Sequence, residues 1–485
     1  SFLGVATDDL IRYWAIADGL LSGTGYPVTT GEAGSGGFYL VELPVYPVLA
    51  ATSLWLVGHR FIALMVPLAI AHAVLPSALF LLARVCGAGR LSALWLALAV
   101  VSFPQYQIYA LGAPEPEPLL ALWITLALYL TIRRLTALGD AWHRRALLEW
   151  AGAGAFAALA ILTRPEGILY AGALFLGIGA FSLHRLLRLG ISNLSPALVW
   201  QVLRGPSTAA IIFALPVLGF VSFLSRTFGI LWPTGWTNVA GPQFIPGNYR
   251  LVVKQNLPYY AETSGLPNPA LTGPLIAFVL CILLVVGLVR LCAARPALSF
   301  IAVGLSLNLA VIFASPTYLT LDLFSPPTFF RHLSVLFPWL LPAGAALALL
   351  LRRWVQSTSR FDAASMSASL LVVLVAELTV LGIATARDQA QIPTIFTQDP
   401  FVLMTDLWQA NDDLPQLPFV RSGERAIATI DPSFNYLEFR SRLFASVRPY
   451  DLHFNDAGRA YVLATGVLSV AAIVVLTWTR LGKRA

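Results

Sequence analysis

Charge is scarce in this sequence. Only 11% of its 485 residues are Asp, Glu, Lys or Arg, where a soluble domain carries about a quarter. A chain so poor in charge cannot cover a surface that faces water on all sides. Cysteine is nearly absent as well, with only Cys86, Cys281 and Cys292. A disulfide framework or a cysteine-held metal cluster is therefore not expected. Lysine occurs only at Lys254 and Lys483, and the other basic residues are arginines. There is no HExxH, no phosphate-binding P-loop and no dinucleotide fingerprint. This argues against zinc proteases and pumps driven by cytosolic nucleotides. Strand-like alternation is missing too, so a transmembrane barrel is rejected.

What fills the chain is apolar residues, 58% of the total, giving a mean hydropathy of +0.75. They come in blocks of about 20, the length a helix needs to cross roughly 30 Å of hydrocarbon. Backbone groups in lipid must be satisfied within the segment, so the blocks are read as helices. The expected fold is an all-α integral membrane bundle. Spans are predicted near 61–83, 91–110, 117–133, 149–164, 167–185, 207–225, 272–291, 297–315, 333–351, 365–385 and 461–480. The stretch from Leu43 to Val57 is short and holds Pro44 and Pro47, which suits an interfacial or re-entrant helix. Too few apolar residues precede Asp8 and Asp9 to make a span or a signal peptide. A twelfth helix upstream of Ser1 is expected.

The net charge of +7 points to sidedness and not to nucleic acid. Arg84, Arg90, Arg133, Arg134, Arg144, Arg145, Arg185, Arg188, Arg204, Arg290, Arg295, Arg352, Arg353, Arg360, Arg480, Lys483 and Arg484 fall in one set of loops. The acids there are Asp140, Glu149 and Asp362. The other set is net acidic. Positive loops stay in the cytoplasm, which places the C-terminus inside. The organisation read from this is a first outer loop at 1–60, a bundle at 61–385 with outer loops at 226–271 and 316–332, a small outer subdomain at 386–459 with strand-like pieces such as 425–430, and a last span with a tail at 460–485. The bias toward Arg, Ala, Leu and Gly suits a GC-rich bacterial genome, hence an inner (plasma) membrane.

The polar residues that could carry chemistry gather on the outer side. Asp8 and Asp9 form an adjacent pair at the membrane boundary, followed by Arg12, Tyr13 and the segment from Ala17 to Pro27. Two neighbouring carboxylates repel, which raises one pKa and suits a general base; the other reading is a helix N-cap. In Leu162-Thr163-Arg164-Pro165-Glu166-Gly167, Arg164 and Glu166 either pair locally at a turn or order a site. In Gly112-Ala113-Pro114-Glu115-Pro116-Glu117-Pro118 the acids precede a span, where they also suit the helix dipole. In Phe329-Phe330-Arg331-His332, Arg331 either snorkels or binds a phosphate with its planar fork. Arg226, Tyr249, Arg250 and Lys254 are further candidates for that task. Glu377 lies inside an apolar block, where an ionisable group is costly and hints at function; the other reading places it near the outer interface, paired locally. Trp14, Tyr26, Trp232 and Trp236 could stack on sugars or anchor the interface.

The order of these pieces resembles the GT-C glycosyltransferases, in particular the branch similar to protein O-mannosyltransferases and aminoarabinose transferases. The pieces are the acidic pair, Leu43-Pro44-Val45-Tyr46-Pro47-Val48-Leu49, the span ending at Arg84, Pro-Glu before a span, Thr-Arg-Pro-Glu-Gly after one, and Arg-His before a late span with Pro338. The pattern covers residues 1 to about 350. Two departures stand out: Val45-Tyr46-Pro47-Val48 replaces the frequent Tyr-Pro-Pro, and Pro114 precedes Glu115 where Ser is usual. The resemblance implies inverting transfer of a sugar from polyprenyl phosphate on the outer face. It implies that Asp8 or Asp9 acts as base, that Arg331, and with it Arg164 and Lys254, holds the donor phosphate, and that Glu115, Glu117, Glu166 and His332 support the site. A divalent metal at the acidic pair would lack a clear third ligand, so no cofactor is expected. Expected partners are the lipid-linked sugar, membrane lipids and an acceptor glycan, lipid or protein; a larger membrane complex is compatible, and nucleic acid is not expected. Two other classes compete: a ligase or polymerase of lipid-linked glycans, which usually lacks the acidic pair, and a non-catalytic GT-C-like scaffold subunit.

Overall fold

The structure is a computed structural model that describes residues 13, 16–23, 29–31, 38–40, 43–58, 61–101, 116–136, 144–164, 166–188, 195–228, 231, 268–294, 298–304, 419–420 and 429–430. Its helices, in chain order, are α1 (Val45–Val57), α2 (Phe61–Val85), α3 (Arg90–Val101), α4 (Glu117–Thr136), α5 (Arg144–Ile161), α6 (Gly167–Arg188), α7 (Pro196–Phe228) and α8 (Pro269–Ala294). Two short antiparallel pairs join them, β1 (Thr29–Gly31) with β2 (Phe38–Leu40) and β3 (Phe419–Val420) with β4 (Thr429–Ile430). β4 coincides with the end of the strand-like piece read at 425–430. The predicted spans at 333–351, 365–385 and 461–480, the rest of the 386–459 subdomain and Glu377 lie outside the described residues.

Among the described residues, four helical stretches are long and apolar enough to cross a membrane: Val66–Val85, Glu117–Thr136, Gly167–Arg188 and Pro196–Thr227. The chain is accordingly a bundle of membrane-length helices. α1 has 13 residues, about 20 Å of rise, and is too short to cross. Its Val48, Trp55, Leu56 and Val57 are exposed, an apolar surface for a helix lying at the membrane boundary.

Boundaries differ most at α7. The predicted span begins at 207, after Arg204 and Pro206, but the helix runs unbroken from Pro196 to Phe228 with Pro206 and Pro216 inside it. Each proline removes one backbone donor, which a helix tolerates in a membrane bundle. α5 likewise starts earlier than the predicted 149, at Arg144, because its first turn is polar and escapes a reading based on apolar runs.

The core is built on α4, which packs against α2 on one side and α5 on the other, with α7 beyond α5. Leu64, Leu68, Leu75, Leu79, Phe80 and Leu82 of α2 meet Leu120, Ile124, Leu128 and Ile132 of α4 in one buried cluster. Trp123 of α4 stacks on Phe156 of α5, with centroids 5.8 Å apart and planes 12° from parallel. Two buried hydroxyls turn onto their own helix backbone: Thr125 donates to the Ala121 carbonyl at 2.6 Å and Ser182 to the Ile178 carbonyl at 2.8 Å. No water is needed to satisfy them.

Between α5 and α7 the contact depends on missing side chains. A Cβ on Gly154 would strike the Ala209 carbonyl and lie 3.0 Å from its Cα. A Cβ on Gly205 would strike the Trp150 ring. Without a hydrophobic drive between helices in lipid, such close backbone approach is what holds them together. Gly154→Leu should therefore lower stability by about 1–3 kcal/mol through overpacking. Gly172→Ala, on α6 with open space around it, should be neutral or mildly stabilising, as expected for Ala replacing Gly in a helix. Thermal melts in detergent followed by tryptophan fluorescence check both.

Candidate functional site

Three segments far apart in sequence meet at one end of the bundle. Glu117 is the first residue of α4, and the Leu120 amide closes the first turn onto the Pro116 carbonyl at 3.0 Å. A carboxylate suits this position beside the helix dipole, yet Glu117 is buried, with its side chain 5% exposed. The second segment is the α5–α6 turn. α5 closes with Thr163 and Arg164 amides both reaching the Ala160 carbonyl, at 3.2 and 3.3 Å, and the Gly167 amide returns to the Arg164 carbonyl at 2.9 Å. The Thr163 hydroxyl donates to the Leu159 carbonyl at 2.6 Å. The reversal is so tight that a Cβ on Gly167 would strike the Ala160 carbonyl and sit 2.7 Å from the Ile161 Cα. Glycine is required there by contact.

That turn aims Arg164 inward. Its Nη1 donates to Glu117 Oε1 at 2.9 Å, while Nε and Nη2 donate to the two oxygens of Glu166, each at 3.1 Å. The guanidinium is thus clasped by a bidentate pair from its own turn and a third bond from α4. Burial works against its charge, but the two carboxylates and the Glu166 hydrogen bond outweigh that and hold Arg164 charged, its pKa well above the usual arginine value. Together the three groups carry one net negative charge.

The third segment is the N-terminal one. Tyr13 lies within electrostatic reach of Arg164. Its ring packs edge-on against Tyr46 of α1, with centroids 4.6 Å apart. Tyr46, fully buried, donates its hydroxyl to the Leu64 carbonyl of α2 at 2.9 Å. The start of α1 is hooked onto the turn as well: the Val45 amide donates to the Leu162 carbonyl at 3.1 Å, and Leu43 packs with Ile161, Leu162, Phe220 and Leu224. The Leu43–Tyr46 motif is therefore the piece that ties the first loop to the Arg164 turn.

Of the residues read from sequence, Arg164, Glu117 and Glu166 are brought together. Asp8, Asp9, Glu115, Lys254, Arg331 and His332 lie outside the described residues. Asp18, in the segment from Ala17 to Pro27, is a buried carboxylate to which the sequence assigned no role. Tyr13, Ile16 and Ala17, all buried, stand at helical spacing beside it, and that period was the available signal. Tyr13 and Tyr46 were also given no role. Among the described residues, no three His, Cys, Asp or Glu side chains converge as a metal site would require.

No family model and no curated protein matches the chain. Among solved structures it is similar to ArnT from Cupriavidus metallidurans bound to undecaprenyl phosphate, with a TM-score of 0.48, 13% identity, and 99% of this chain and 75% of that one covered. The apo state of the same protein gives a TM-score of 0.47 at 13% identity, covering 97% and 72%. The archaeal oligosaccharyltransferase AglB from Archaeoglobus fulgidus, in complex with an inhibitory peptide and a dolichol-phosphate, gives 0.44 at 14% identity, covering 77% and 51%.

The clasp makes a stability prediction. Arg164→Ala leaves Glu117 buried without its cation and should cost about 3–5 kcal/mol. Glu166, 22% exposed, is nearer water, and Glu166→Gln should cost under about 1 kcal/mol. The double variant Glu117→Gln/Arg164→Met removes the lone charge and should recover most of the Arg164→Ala loss. Denaturation midpoints in one detergent measure all three. Equal losses for Glu166→Gln and Arg164→Ala would contradict the leading role of Glu117.

Proposed function

We propose that this chain is an inverting glycosyltransferase that moves a sugar from a polyprenyl-phosphate donor to an acceptor hydroxyl on the outer face of the membrane. The observation that carries the reading is the meeting of Tyr13, Tyr46, Glu117 and Arg164 at one end of the bundle. These residues belong to separate motifs of the ordered pattern that resembles GT-C enzymes. Tyr13 also follows Asp9 closely in sequence, and in this proposal the acidic pair acts at the same end of the bundle.

In the proposed reaction, Asp8 or Asp9 accepts the proton of the acceptor hydroxyl. The hydroxyl oxygen attacks the anomeric carbon from the face opposite the phosphate. The bond from the anomeric carbon to the phosphate oxygen breaks, and its electron pair leaves with polyprenyl phosphate. Arg331, helped by Lys254 and His332, holds the departing phosphate charge, and Glu115 supports the site. Arg164 was a further candidate for the phosphate. Three of its N–H groups go to carboxylates and its cluster is net negative, so we assign it the positioning of Glu117, Glu166 and the first loop. The acceptor is a glycan, lipid or protein hydroxyl.

Two outcomes test the proposal, both read as transfer from a panel of polyprenyl-phosphate hexoses and pentoses by the full chain in detergent. Changing the base to Asn should lower turnover about 10²–10⁴-fold with donor binding kept, so one of Asp8→Asn and Asp9→Asn, and their double variant, should show this loss. Full turnover in the double variant would refute the base. Arg331→Ala should raise the donor KM and lower turnover, by an amount matching the roughly 1.5–3 kcal/mol of a charge-assisted contact. Unchanged donor kinetics would remove Arg331 from the site.

A further inference from the structure

At the opposite end of α4 and α5 lies a second charge cluster that the transfer reaction does not use. Glu149, buried on α5, receives three arginines. Arg134 Nη1 reaches its Oε2 at 3.2 Å. Arg133 Nη2 and Arg145 Nε both reach its Oε1, at 3.4 and 3.3 Å. Two guanidiniums therefore share one carboxylate oxygen, and their like charges face each other across it. Arg133 also donates through Nη1 to the Tyr129 hydroxyl at 2.9 Å, a contact that brings no negative charge.

Exposure separates the three. Arg134 is 12% exposed and suffices to neutralise Glu149. Arg133 and Arg145 are 32% and 67% exposed, so among the described residues two positive charges beyond that of Glu149 stand at the surface. Arg144 beside them is exposed too. Arg144 and Arg145 open α5, where the positive end of the helix dipole adds to their charge and disfavours cations. Among the described residues the other carboxylates are Asp18, Glu117 and Glu166, and two of these are committed to the Arg164 clasp. Arg133 and Arg134 lie in the last turn of the membrane-length stretch Glu117–Thr136, the end of a span where headgroups are met.

We propose that Arg133 and Arg145 form a binding site for the phosphodiester headgroup of an anionic phospholipid seated at the α4–α5 end, with Arg134 and Glu149 as its rigid base. A planar guanidinium pair matches two phosphate oxygens, and acyl chains then run along the apolar surface of the bundle. Exposed Leu148 on α5 offers such a surface beside the cluster. The site is independent of the transfer reaction and of which face is cytoplasmic.

Native mass spectrometry of the full chain from mixed micelles of phosphatidylglycerol and phosphatidylcholine tests this. The wild type should retain phosphatidylglycerol preferentially. Each basic residue near a membrane surface contributes about a fivefold gain for anionic lipid, so Arg133→Gln/Arg145→Gln should lower retention about 25-fold and leave phosphatidylcholine unchanged. Arg133→Lys/Arg145→Lys, which keeps the charge and the fold, should lose only a small part. Equal phosphatidylglycerol retention in the Gln variant and the wild type would overturn the site. So would an equal loss in Arg144→Gln, which would reduce the effect to general basic charge. Displacement by millimolar inorganic phosphate would overturn the lipid assignment in favour of a free oxyanion site.

Discussion

The clasp of Arg164 by Glu117 and Glu166 is the interaction on which this end of the molecule depends. In lipid, α4 and α5 gain nothing from hydrophobic burial against each other that they would not also gain from acyl chains. Their relative depth has to be set by something directional. A guanidinium with three N–H groups engaged fixes both distance and rotation, and it links the first residue of α4 to the last turn of α5. Everything attached to that turn is then fixed in turn: α1 through the Val45 amide, α2 through Tyr46, and the N-terminal segment through Tyr13.

A second cluster does the same at the other end. Glu117 and Arg133 stand 16 residues apart on α4, which at 1.5 Å per residue is about 24 Å of helix. Between them α4 is almost wholly apolar, and its Thr125 hydroxyl is turned onto its own backbone. Two ionic clusters bracket a length close to the hydrocarbon thickness. Sliding α5 along α4 by one turn would break both at once and strand Glu117 and Glu149 in a medium that cannot solvate them. Register is therefore over-determined, while the small-residue contact of Gly154 with Ala209 sets how closely α7 follows.

How much of this was legible follows from what each signal measures. Apolar runs gave the existence of α2, α4, α6 and α8 with bounds near those observed. They failed at α5 and α7 because the early turns of those helices carry Arg144 and Arg145 or Gln201 and Arg204, and a hydropathy window cannot tell a polar helical turn from a loop. Spacing alone left Arg164 open between local pairing and ordering a site. The local pairing is present, with Glu166 in its own turn, and a second partner, Glu117, stands far away in sequence. That second partner could not be read, because a contact across 47 residues has no period. The need for glycine at position 167 was not read either, because it comes from contact with the Ala160 carbonyl. Tyr13 and Tyr46 stood within motifs and Asp18 within the first loop without individual roles, since aromatic and acidic residues near a membrane boundary usually need no explanation beyond the boundary itself.

The two clusters also differ in sign, and this bears on orientation. The Glu117–Arg164–Glu166 group is negative by one charge, whereas the Glu149 group is positive by two. Loops rich in arginine are retained in the cytoplasm, and the expectation read from the loop charges is that the Glu149 end faces inward. A surplus of positive charge at that end costs self-repulsion unless anions are present, and an anionic leaflet supplies them. The negative cluster at the other end has the opposite need: a phosphorylated donor would be repelled unless separate cations, such as those proposed at Arg331 and Lys254, outweigh it. Arg164 is already neutralised by its partners, so the catalytic reading places the demand for positive charge on the later loops, and the first loop is left to supply the base.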